Sequence, residues 1–407
     1  MRALQVSQQY PSEYYPALGV MVQNALRALA PLLELELLAP RPYTLPLPGF
    51  PFGALARLPT TRRENGFLVH RPHYAYAVPK RLFYPLAGPA LAHALARYAR
   101  NLATPDLIHA HWSYPDGWAA LGLRERFRRP LVIHARGTLE RVIARQSARF
   151  RQLVARPLTE ADAVIANSAA LRQDCLELGV PARNIHVIPN GVDLELFTPH
   201  DKTASKRALG LDPERLWVLY CGNLRPVKGV DLLSTAIQQL LAAGSAVSFA
   251  IVGAGELEAA LRAQLADALG QRRVIMTGAL PQPTVARYMN AADLLVLPSR
   301  SEARSNVIVE ALACQTPVAA ADVGGIPEVM RPEHGRLFVP GDAGAIAAAL
   351  RELTAAPERL RALGAAGRRF VLNSDLTWQS HARRSFELYQ TLVAEPSART
   401  RVQGSGA

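Results

Sequence analysis

Short apolar runs that alternate with helical patterns, in two successive series, constrain the fold of this chain more than any other sequence feature. The runs are nearly continuous in Val, Ile, Leu and Ala, which is typical of parallel strands covered by helices on both faces. A turn sequence at residues 190–193 separates the two series. The sequence therefore predicts an α/β fold with two Rossmann-like, doubly wound domains facing a cleft at the carboxyl ends of their strands.

The domain boundaries follow from that turn. We predict a first domain at residues 1–198 and a second domain at residues 199–374. Residues 375–395 are predicted to form a crossover helix that packs back on the first domain. The polar tail at residues 396–407, which contains Gly and Ser, is expected to be disordered.

The apolar runs and the helical periods also give the individual elements. Strands are predicted at residues 3–7, 35–39, 106–110, 131–135, 163–166, 186–188, 217–221, 248–252, 274–277, 294–297 and 317–321. Helices are predicted at residues 20–30, 88–101, 139–157, 168–178, 230–243, 257–269, 283–291 and 307–314. Residues 40–87 are rich in Pro and aromatic residues and show no period, so they predict loops with a short hairpin.

Composition narrows the class of protein. The chain has 407 residues, of which 49% are hydrophobic, and this excludes a wholly disordered protein. Three isolated cysteines without a C-x-x-C pair exclude a disulfide scaffold and favour a reducing, cytoplasmic location. The sequence has no long uncharged apolar stretch, so we predict no membrane span, and the first apolar run is too brief for a signal peptide.

The charge balance points to an anionic partner. The chain has 46 Lys and Arg against 33 Asp and Glu, a formal net charge of +13. The excess is uneven, since residues 1–200 contain 23 basic and 14 acidic side chains, and residues 201–407 contain 23 and 19. Phosphorylated small molecules and anionic lipid are the favoured partners. Nucleic acid is disfavoured, because no aromatic residues are interleaved with the basic ones to form a stacking platform.

Regularly spaced arginines predict a basic face in the first domain. Arg141, Arg145 and Arg149 recur every four residues within one predicted helix, so they are expected to share a face. Such a face would bind anionic lipid or an anionic acceptor; the alternative is an ordinary solvated face. Arg136 follows another predicted strand and would add a cation to the cleft, or would belong to a structural turn.

A glycine-containing loop with two cations predicts a phosphate site in the second domain. Gly222, Arg225 and Lys228 lie between a predicted buried strand and a predicted helix. A strand-end loop, a helix N-terminus and two cations suit a diphosphate. The alternative is an exposed basic turn.

Two glutamates seven residues apart mark a second loop and the helix after it. Glu302 lies in the loop and Glu310 in the helix, which Ser305 or Asn306 is expected to cap. The helix N-terminus would attract a phosphate, Glu302 would bind sugar hydroxyls, and Glu310 a ribose diol. The alternatives are two solvated glutamates or a glycosidase-type acid and base pair.

A histidine pair and two glycine turns are the remaining features. His109 and His111 point to the same side of a predicted strand, with His111 at the strand end facing the cleft. A metal pair is conceivable, but no third ligand is evident nearby. Gly19, before the first helix, permits close approach of a ligand or merely begins that helix. The sequence from Gly253 to Gly255 lacks the third glycine of a dinucleotide fingerprint, so it indicates a tight turn.

Taken in order, these motifs resemble those of the retaining glycosyltransferases of family 4, which have the GT-B fold. The likeness covers essentially the whole chain except the tail. The matching sequences are VIPNGVDLELF, G-x-x-R-x-x-K-G, IVGAGELEAAL, MTGALPQPTVARYMNAADLLVLPSRSE, the E-x7-E of Glu302 and Glu310, and TPVAAADVGGIPEVM. The opening of the chain is similar to members that build bacterial surface polysaccharides, including teichuronic-acid-type enzymes.

The resemblance implies a role for each matching residue. Arg225 and Lys228 would bind the diphosphate of a nucleotide sugar, and with His111 and Glu302 they form the implied catalytic set. The complete implied donor set is Gly19, Gly222, Arg225, Lys228, Gly278, Leu280, Glu302, Ser305, Asn306, Val307 and Glu310. The family needs no divalent metal, and we expect no cofactor.

The resemblance also implies a reaction and an acceptor. A hexosyl unit, with UDP the expected nucleotide, would pass to a saccharide or lipid-linked saccharide bound by the first domain. The enzyme would be cytoplasmic and peripheral at the inner face of the membrane; no oligomeric state is assigned. An epimerase of the same fold and a non-catalytic nucleotide-sugar-binding protein remain alternatives. The chain departs from the family pattern at Ala303, Arg304, Gln315 and Leu139, with Gln315 replacing a common glycine.

Overall fold

The computed structural model describes residues 1–16, 18–43, 55, 57–75 and 84–395. The chain forms two compact units. Unit 1 comprises Met1–Asn190 together with the segment that starts at Trp378, and unit 2 comprises Gly191–Thr377. The tail at residues 396–407, for which we predict disorder, lies outside the described residues.

The division between the units falls earlier in the chain than the predicted boundary at residue 198. The backbone N–H of Val192 donates to the carbonyl of Leu376 at 2.9 Å, and Phe197 is buried in the core of unit 2. Residues 191–197 therefore fold with unit 2. The helix that starts at Trp378 packs against the first helix of unit 1.

Unit 1 is built on an eight-stranded sheet with the order β10-β9-β8-β7-β1-β2-β5-β4. Its strands, with a two-stranded sheet of β3 and β6, are β1 (Arg2–Val6), β2 (Glu34–Leu38), β3 (Arg41–Pro42), β4 (Thr61–Glu64), β5 (Phe67–His70), β6 (His73–Tyr74), β7 (Leu107–Ala110), β8 (Leu131–Ala135), β9 (Ala163–Ala166) and β10 (Ile185–Val187). Its α-helices are α1 (Val20–Leu29), α2 (Ala87–Tyr98), α3 (Trp118–Phe127), α4 (Ala148–Glu160), α5 (Ala169–Glu177) and the C-terminal helix Trp378–Ala394.

Unit 2 is built on a six-stranded sheet with the order β13-β12-β11-β14-β15-β16, parallel throughout. Its strands are β11 (Trp217–Cys221), β12 (Ser248–Val252), β13 (Val274–Gly278), β14 (Leu294–Leu297), β15 (Val318–Ala321) and β16 (Gly335–Phe338). Its helices are α6 (Lys202–Ala208), α7 (Val230–Ala242), α8 (Glu258–Gln264), α9 (Ala266–Gly270), α10 (Gln282–Ala291), α11 (Asn306–Ala313), α12 (Ala343–Thr354) and α13 (Pro357–Leu372). The C-terminal helix of unit 1 is α14.

Successive side chains of a strand in unit 2 point into two different apolar cores, one on each face of the sheet. Leu219 and Cys221 of β11 belong to one apolar core, while Val218 and Tyr220 belong to the other. Helices cover both faces of the sheet, as the nearly continuous apolar runs predict. The predicted α/β class with two doubly wound domains is confirmed. Within the described residues, no helix is both long and apolar enough to cross a membrane.

The region at residues 40–87 contains the predicted hairpin. Strand β4 pairs antiparallel with β5, and Asn65 and Gly66 connect them with positive φ angles of 51° and 88°. An Asn-Gly pair suits such a two-residue turn, because both central residues need positive φ.

The predicted helix at residues 139–157 is wrong as a single helix. One helical turn covers Leu139–Ile143, and a separate helix, α4, begins at Ala148. Ser147 lies between them in an extended conformation, and its hydroxyl accepts from the N–H of Phe150 at 3.2 Å. This capping bond starts a new helix, which a four-residue arginine spacing cannot reveal.

Candidate active site

The point where the strand order of unit 2 reverses lies between β11 and β14. These strands are neighbours, and β12 and β13 continue the sheet on one side while β15 and β16 continue it on the other. In open parallel sheets, ligands bind in the crevice outside the carboxyl ends of the strands at such a point. The two loops that leave these strands, residues 222–229 and 298–305, are the loops that the sequence singles out.

Gly229 allows the two loops to touch. Its φ is +66°, and a Cβ added there would lie 1.9 Å from the carbonyl oxygen of Pro298. Any larger residue would therefore force the loops apart. Beside this contact, the N–H of Arg300 donates to the carbonyl of Val227 at 2.9 Å.

Lys228 and Glu302 form an ion pair between the two loops. The Lys228 Nζ lies 2.5 Å from the Glu302 Oε1. The hydroxyl of Ser299 donates to the same oxygen at 3.0 Å, and Glu302 is only 8% exposed. The structure thus joins two residues for which the resemblance implies separate ligand contacts.

Arg225 is the second cation of the site. It lies in extended backbone just before the turn Pro226–Lys228, and its side chain is exposed. Within the described parts of the chain, its guanidinium contacts no carboxylate. An exposed guanidinium without an internal partner is available for an anionic ligand.

The N-termini of helices α7 and α11 differ in how far they are already neutralised. In α7, Asp231 lies in the first turn, and hydrogen bonds from its own N–H and that of Leu232 help to lower its pKa, after the larger effect of Arg300. In α11, Ser305 occupies the capping position but makes no side-chain capping bond, and the first turn holds no acidic residue. Ser305 thus stands at the predicted capping position without the side-chain bond that a capping serine usually makes. The positive end of α11 is the better place for a phosphate.

Glu310 lies in α11 beside the end of β11. The residue is half-buried, and burial raises the pKa of its carboxyl group to about 7. Its charge raises the pKa of the Cys221 thiol, after burial, and no cation pairs with it among the described residues. Both protonation states of Glu310 are accessible near neutral pH.

Four further residues of the implied donor set have local roles that are visible in the structure. Gly278 ends β13, and its carbonyl accepts from the N–H of Gly253 at 2.9 Å. Leu280 and Val307 are partly buried and pack on the apolar core of unit 2. Gly222, whose N–H donates to the carbonyl of Val252, begins the first loop.

In unit 1 the strand order reverses between β1 and β7, and His111 follows β7 there. His111 is only 1% exposed, so its ring is enclosed and not open to solvent. The Arg136 Nη2 donates to His111 Nδ1 at 2.8 Å. Since a guanidinium cannot accept, Nε2 carries the ring proton and donates to Gln5 Oε1 at 2.9 Å.

Three more histidines surround His111 or extend the stack, and of these the sequence pattern connected only His109 with His111. The ring centroids of His109 and His111 lie 4.4 Å apart, those of His109 and His134 lie 5.9 Å apart, and His381 of α14 stacks on His134 at 5.7 Å. Burial lowers the pKa of His109, His111 and His134 well below the ordinary value. The rings of His109, His111 and His134 are therefore neutral at physiological pH.

His134 supplies the third nitrogen that the sequence did not reveal beside His109 and His111, yet the set does not fit a metal ion. Nitrogen atoms of the three rings lie within 4.8 Å of one another. The ring of His109 makes angles of only 28° and 7° with those of His111 and His134. A ligating lone pair lies in the plane of its ring, so stacked, nearly parallel rings do not aim their lone pairs at one ion. The Arg136 charge opposes a cation as well.

Arg136 is an internal residue of unit 1 and not part of a basic surface. It is 7% exposed, and besides His111 it donates to the Asn190 Oδ1 at 3.2 Å. Burial lowers its pKa to about 9. These internal contacts favour the structural-turn alternative at this position.

The predicted basic face is divided by the helix break. Arg141 and Arg145 contact Asp174 at 2.9 and 3.2 Å, and Arg145 also lies 3.4 Å from Glu177. Arg149 alone of the three has no carboxylate partner among the described residues. The prediction that these arginines share one helix face is wrong.

Gly19 is explained by packing within unit 1. Its φ is +75°, and an added Cβ would lie 2.2 Å from the carbonyl oxygen of Gln9. The residue begins α1 with a left-handed conformation. Contact with its own chain therefore accounts for this glycine.

Sequence reasoning missed Arg300 and Asp231. The Arg300 guanidinium donates to both Asp231 carboxylate oxygens at 2.7 Å and to the carbonyl of Pro226 at 2.5 Å. The place of Asp231 in the first helical turn was a visible signal. No pattern identifies its partner, since 69 residues separate the two.

Two family models match the chain. The glycosyltransferase family 4 model covers residues 18–196, and the model for glycosyl transferases group 1 covers residues 201–370. A protein of Bacillus subtilis (strain 168) that carries the name teichuronic acid biosynthesis glycosyltransferase TuaC is 31% identical over 361 residues, which is 86% of this chain and 88% of that protein.

Solved structures share the fold. The sucrose-phosphate synthase tll1590 of Thermosynechococcus elongatus superimposes with a TM-score of 0.79 and 25% identity, over 97% of this chain and 99% of that one. Alr3699/HepE of Anabaena, solved in complex with UDP-glucose, gives a TM-score of 0.74 and 22% identity, over 96% of this chain and all of that one.

Proposed function

Because this chain belongs to the family 4 and group 1 glycosyltransferases, we propose that it transfers a hexosyl unit from a nucleotide sugar with retention of anomeric configuration. One observation carries the proposal about the donor. The strand-order reversal of unit 2 brings together an exposed Arg225, Lys228 and the positive end of α11. Such an arrangement complements a diphosphate.

The ion pair of Lys228 and Glu302 suggests how the donor is recognised in two parts. The diphosphate carries more charge than one carboxylate, so it takes Lys228 away from Glu302. The carboxylate of Glu302, still held by Ser299, then accepts from hydroxyl groups of the sugar. Recognition of the sugar thereby depends on binding of the phosphates.

Charge stabilisation of the leaving group follows from the same residues. As the bond to the sugar breaks, negative charge grows on the diphosphate, and Arg225, Lys228 and the α11 dipole oppose it. We propose that this set acts without a divalent metal or cofactor. Glu310, on the same helix, is proposed to bind the ribose diol.

We propose that His111 shapes the site and does not transfer protons. Its two nitrogen atoms are engaged by Arg136 and Gln5, and the ring is buried. A general base needs an accessible lone pair within reach of the substrate. This revises the catalytic role that the resemblance implies for His111.

We propose that the acceptor is a saccharide or lipid-linked saccharide of bacterial surface polysaccharide synthesis, bound by unit 1. The likeness to the protein named for teichuronic acid biosynthesis supports this class. Peripheral membrane contact at the cytoplasmic face is a further part of the proposal, with Arg149 as its exposed cation. Loss of binding to anionic vesicles in Arg149→Glu, with Arg262→Glu of unit 2 as control, would support that contact.

The proposed function is tested with a panel of nucleotide sugars. Thermal shift and calorimetry with UDP-, GDP- and ADP-glucose and with UDP-N-acetylglucosamine identify the donor. Lys228→Ala should abolish the shift, and transfer to a saccharide acceptor should give a product whose anomeric NMR coupling matches the donor. Binding that survives Lys228→Ala contradicts the site, and donor isomerisation without acceptor contradicts the reaction.

A further inference from the structure

Four polar contacts hold the two loops of the proposed donor site in one arrangement. The Arg300 guanidinium contacts both oxygens of Asp231 and the carbonyl of Pro226. Its backbone N–H donates to the carbonyl of Val227. Arg300 therefore ties the loop of Glu302 to the loop of Lys228 and to the first turn of α7. We call these residues, Asp231, Arg300, Pro226 and Val227, the loop bracket.

The loop bracket fixes its side chains more firmly than an ordinary surface ion pair does. Exposed pairs contribute little when both side chains are free to move. Here the planar guanidinium is fixed by two parallel bonds and by a backbone carbonyl, which is the arrangement that suits arginine and not lysine. The carboxylate is fixed too, since backbone N–H groups at the start of α7 bond it.

The position of Arg300 in the chain links the loop bracket to the position of Glu302. Arg300 lies between Ser299, which bonds Glu302, and Glu302 itself. Movement of Arg300 would shift Glu302 relative to Lys228, which sits directly after Pro226 and Val227. Reactive geometry tolerates little displacement of this kind.

We propose that Arg300 is a positioning residue: through Asp231, it sets the distance between the phosphate-binding Lys228 and the sugar-binding Glu302. The inference rests on the proposed function. It assigns the bracket to discrimination between a nucleotide sugar and the bare nucleotide diphosphate. The phosphate contacts of Arg225 and Lys228 do not require it.

The test compares UDP and UDP-glucose binding in Arg300→Gln, Asp231→Asn and the double variant. Each single variant should lower the ratio of UDP-glucose to UDP affinity by about tenfold while UDP affinity changes little. The double variant should lose no more than Arg300→Gln alone, because Asp231 acts in the bracket only through Arg300. Arg300→Lys should not restore the ratio, since an ammonium cannot replace the fork.

Arg262→Gln is the matched control. Arg262 pairs with Glu258 at 2.9 Å and donates to the carbonyl of Met276, so it makes a similar contact in the same unit. This variant should keep the wild-type ratio. Equal losses for UDP and UDP-glucose, or an unchanged ratio in Arg300→Gln, would overturn the inference.

A measurement without ligand separates this inference from the proposed function. Hydrogen exchange in residues 298–305 should accelerate in Arg300→Gln and stay unchanged in Arg262→Gln, with the melting temperature matched. Unchanged exchange refutes the bracket even if donor binding follows expectation. If the wild type binds neither UDP nor UDP-glucose, the UDP-based proposed function fails, and the positioning role falls with it whatever the exchange shows.

Discussion

The two units place very different chemistry where their strand orders reverse. In unit 1 the carboxyl ends of β1 and β7 carry Gln5 and a buried stack of neutral histidines. In unit 2 the ends of β11 and β14 carry an exposed arginine, a bridging ion pair and an uncapped helix N-terminus. The same topology thus gives a filled, buried edge in one unit and a charged, accessible edge in the other.

This difference teaches that a topological reversal offers a crevice but does not decide its use. In unit 1 the side chains of α14, including His381 and Tyr389, lie against the strand ends and fill the space. The guanidinium of Arg136 donates internal hydrogen bonds to His111. In unit 2, Arg225 has no such partner within the described residues, so its charge remains for a ligand.

The largest expected effects on stability and on donor affinity come from replacing one arginine by methionine in each unit. Arg136→Met should reduce the free energy of unfolding of unit 1 by about 3 kcal/mol, because it leaves buried acceptors unpaired. Its affinity for UDP-glucose should stay within about twofold of wild type. Arg225→Met should weaken UDP-glucose binding by about tenfold to a hundredfold without a change in unfolding.

Chemical denaturation and calorimetry measure both variants. A comparable loss of donor affinity in Arg136→Met would contradict the contrast between the two edges. So would a destabilised Arg225→Met, since an exposed residue without internal contacts should not affect unfolding.

The histidine stack predicts that unit 1 loses stability in acid. The pKa values of His109, His111 and His134 are lowered in the folded state, so the unfolded chain binds more protons below pH 6.5. The stack's contribution is therefore full above the unfolded pKa and is lost as the pH falls below it. The free energy of unfolding should drop by about 3 kcal/mol between pH 6.5 and 5.5, about 1 kcal/mol for each of the three rings.

His134→Leu sharpens that prediction. Neither ring nitrogen of His134 has a hydrogen-bond partner among the described residues, so its replacement removes no bond. The variant should be no less stable than wild type at pH 7.5 and should show a shallower loss in acid. Urea denaturation across the pH range measures this; an unchanged slope would show that the His134 pKa is not lowered.

The Glu310 carboxyl group in unit 2 should make the affinity for the donor depend on pH. Since its pKa is raised to about 7, the carboxylate that would accept from the ribose is progressively protonated as the pH falls. UDP-glucose affinity should decline by up to about tenfold between pH 8 and 6. The experiment uses UDP-glucose and not UDP, because UDP-glucose has no terminal phosphate that titrates in this range.

Glu310→Gln is the control for this titration. The variant keeps an acceptor oxygen but cannot ionise, so its affinity should be nearly constant over the same range. A pH dependence that persists in Glu310→Gln would assign the titration to another group.

The smallest expected effect concerns the end of α11. Gln315 follows this helix with a φ of +60°, a left-handed conformation that favours glycine. Gln315→Gly should stabilise unit 2 by about 0.5–1 kcal/mol. Ala260→Gly, at an exposed position within α8, should destabilise it by a similar amount. Urea denaturation of both variants measures these changes in stability. Destabilisation by Gln315→Gly would show that the glutamine side chain makes a contact that stabilises unit 2.

Much of the fold could be predicted because local patterns determine it. Continuous apolar runs located eleven strands to within about one residue, but β5 and β16 were not among the predicted strands. The short hairpin was predicted for residues 40–87 without its turn, which the structure places at Asn65 and Gly66. The helix break at Ser147 was not predictable, because a single serine is compatible with a helix until its capping bond forms. The arginine spacing therefore gave a false common face.

The site could be predicted only in part, for a similar reason. Motifs identified Arg225, Lys228 and Glu302, but the contact between Lys228 and Glu302 depends on β11 lying next to β14. Strand alternation placed His109 and His111 on one side of the sheet, as the structure confirms. It could not reveal that α14, more than 250 residues later, would cover that side.

A calorimetric titration of UDP into wild type and Glu302→Gln tests the central claim most directly. If the donor phosphates must take Lys228 from Glu302, removal of the carboxylate charge should make UDP bind about fivefold more tightly. The same variant should lose the additional affinity that glucose gives to UDP-glucose. Equal or weaker UDP binding by Glu302→Gln would contradict the account, because Lys228 would then not be held by Glu302 before the donor arrives.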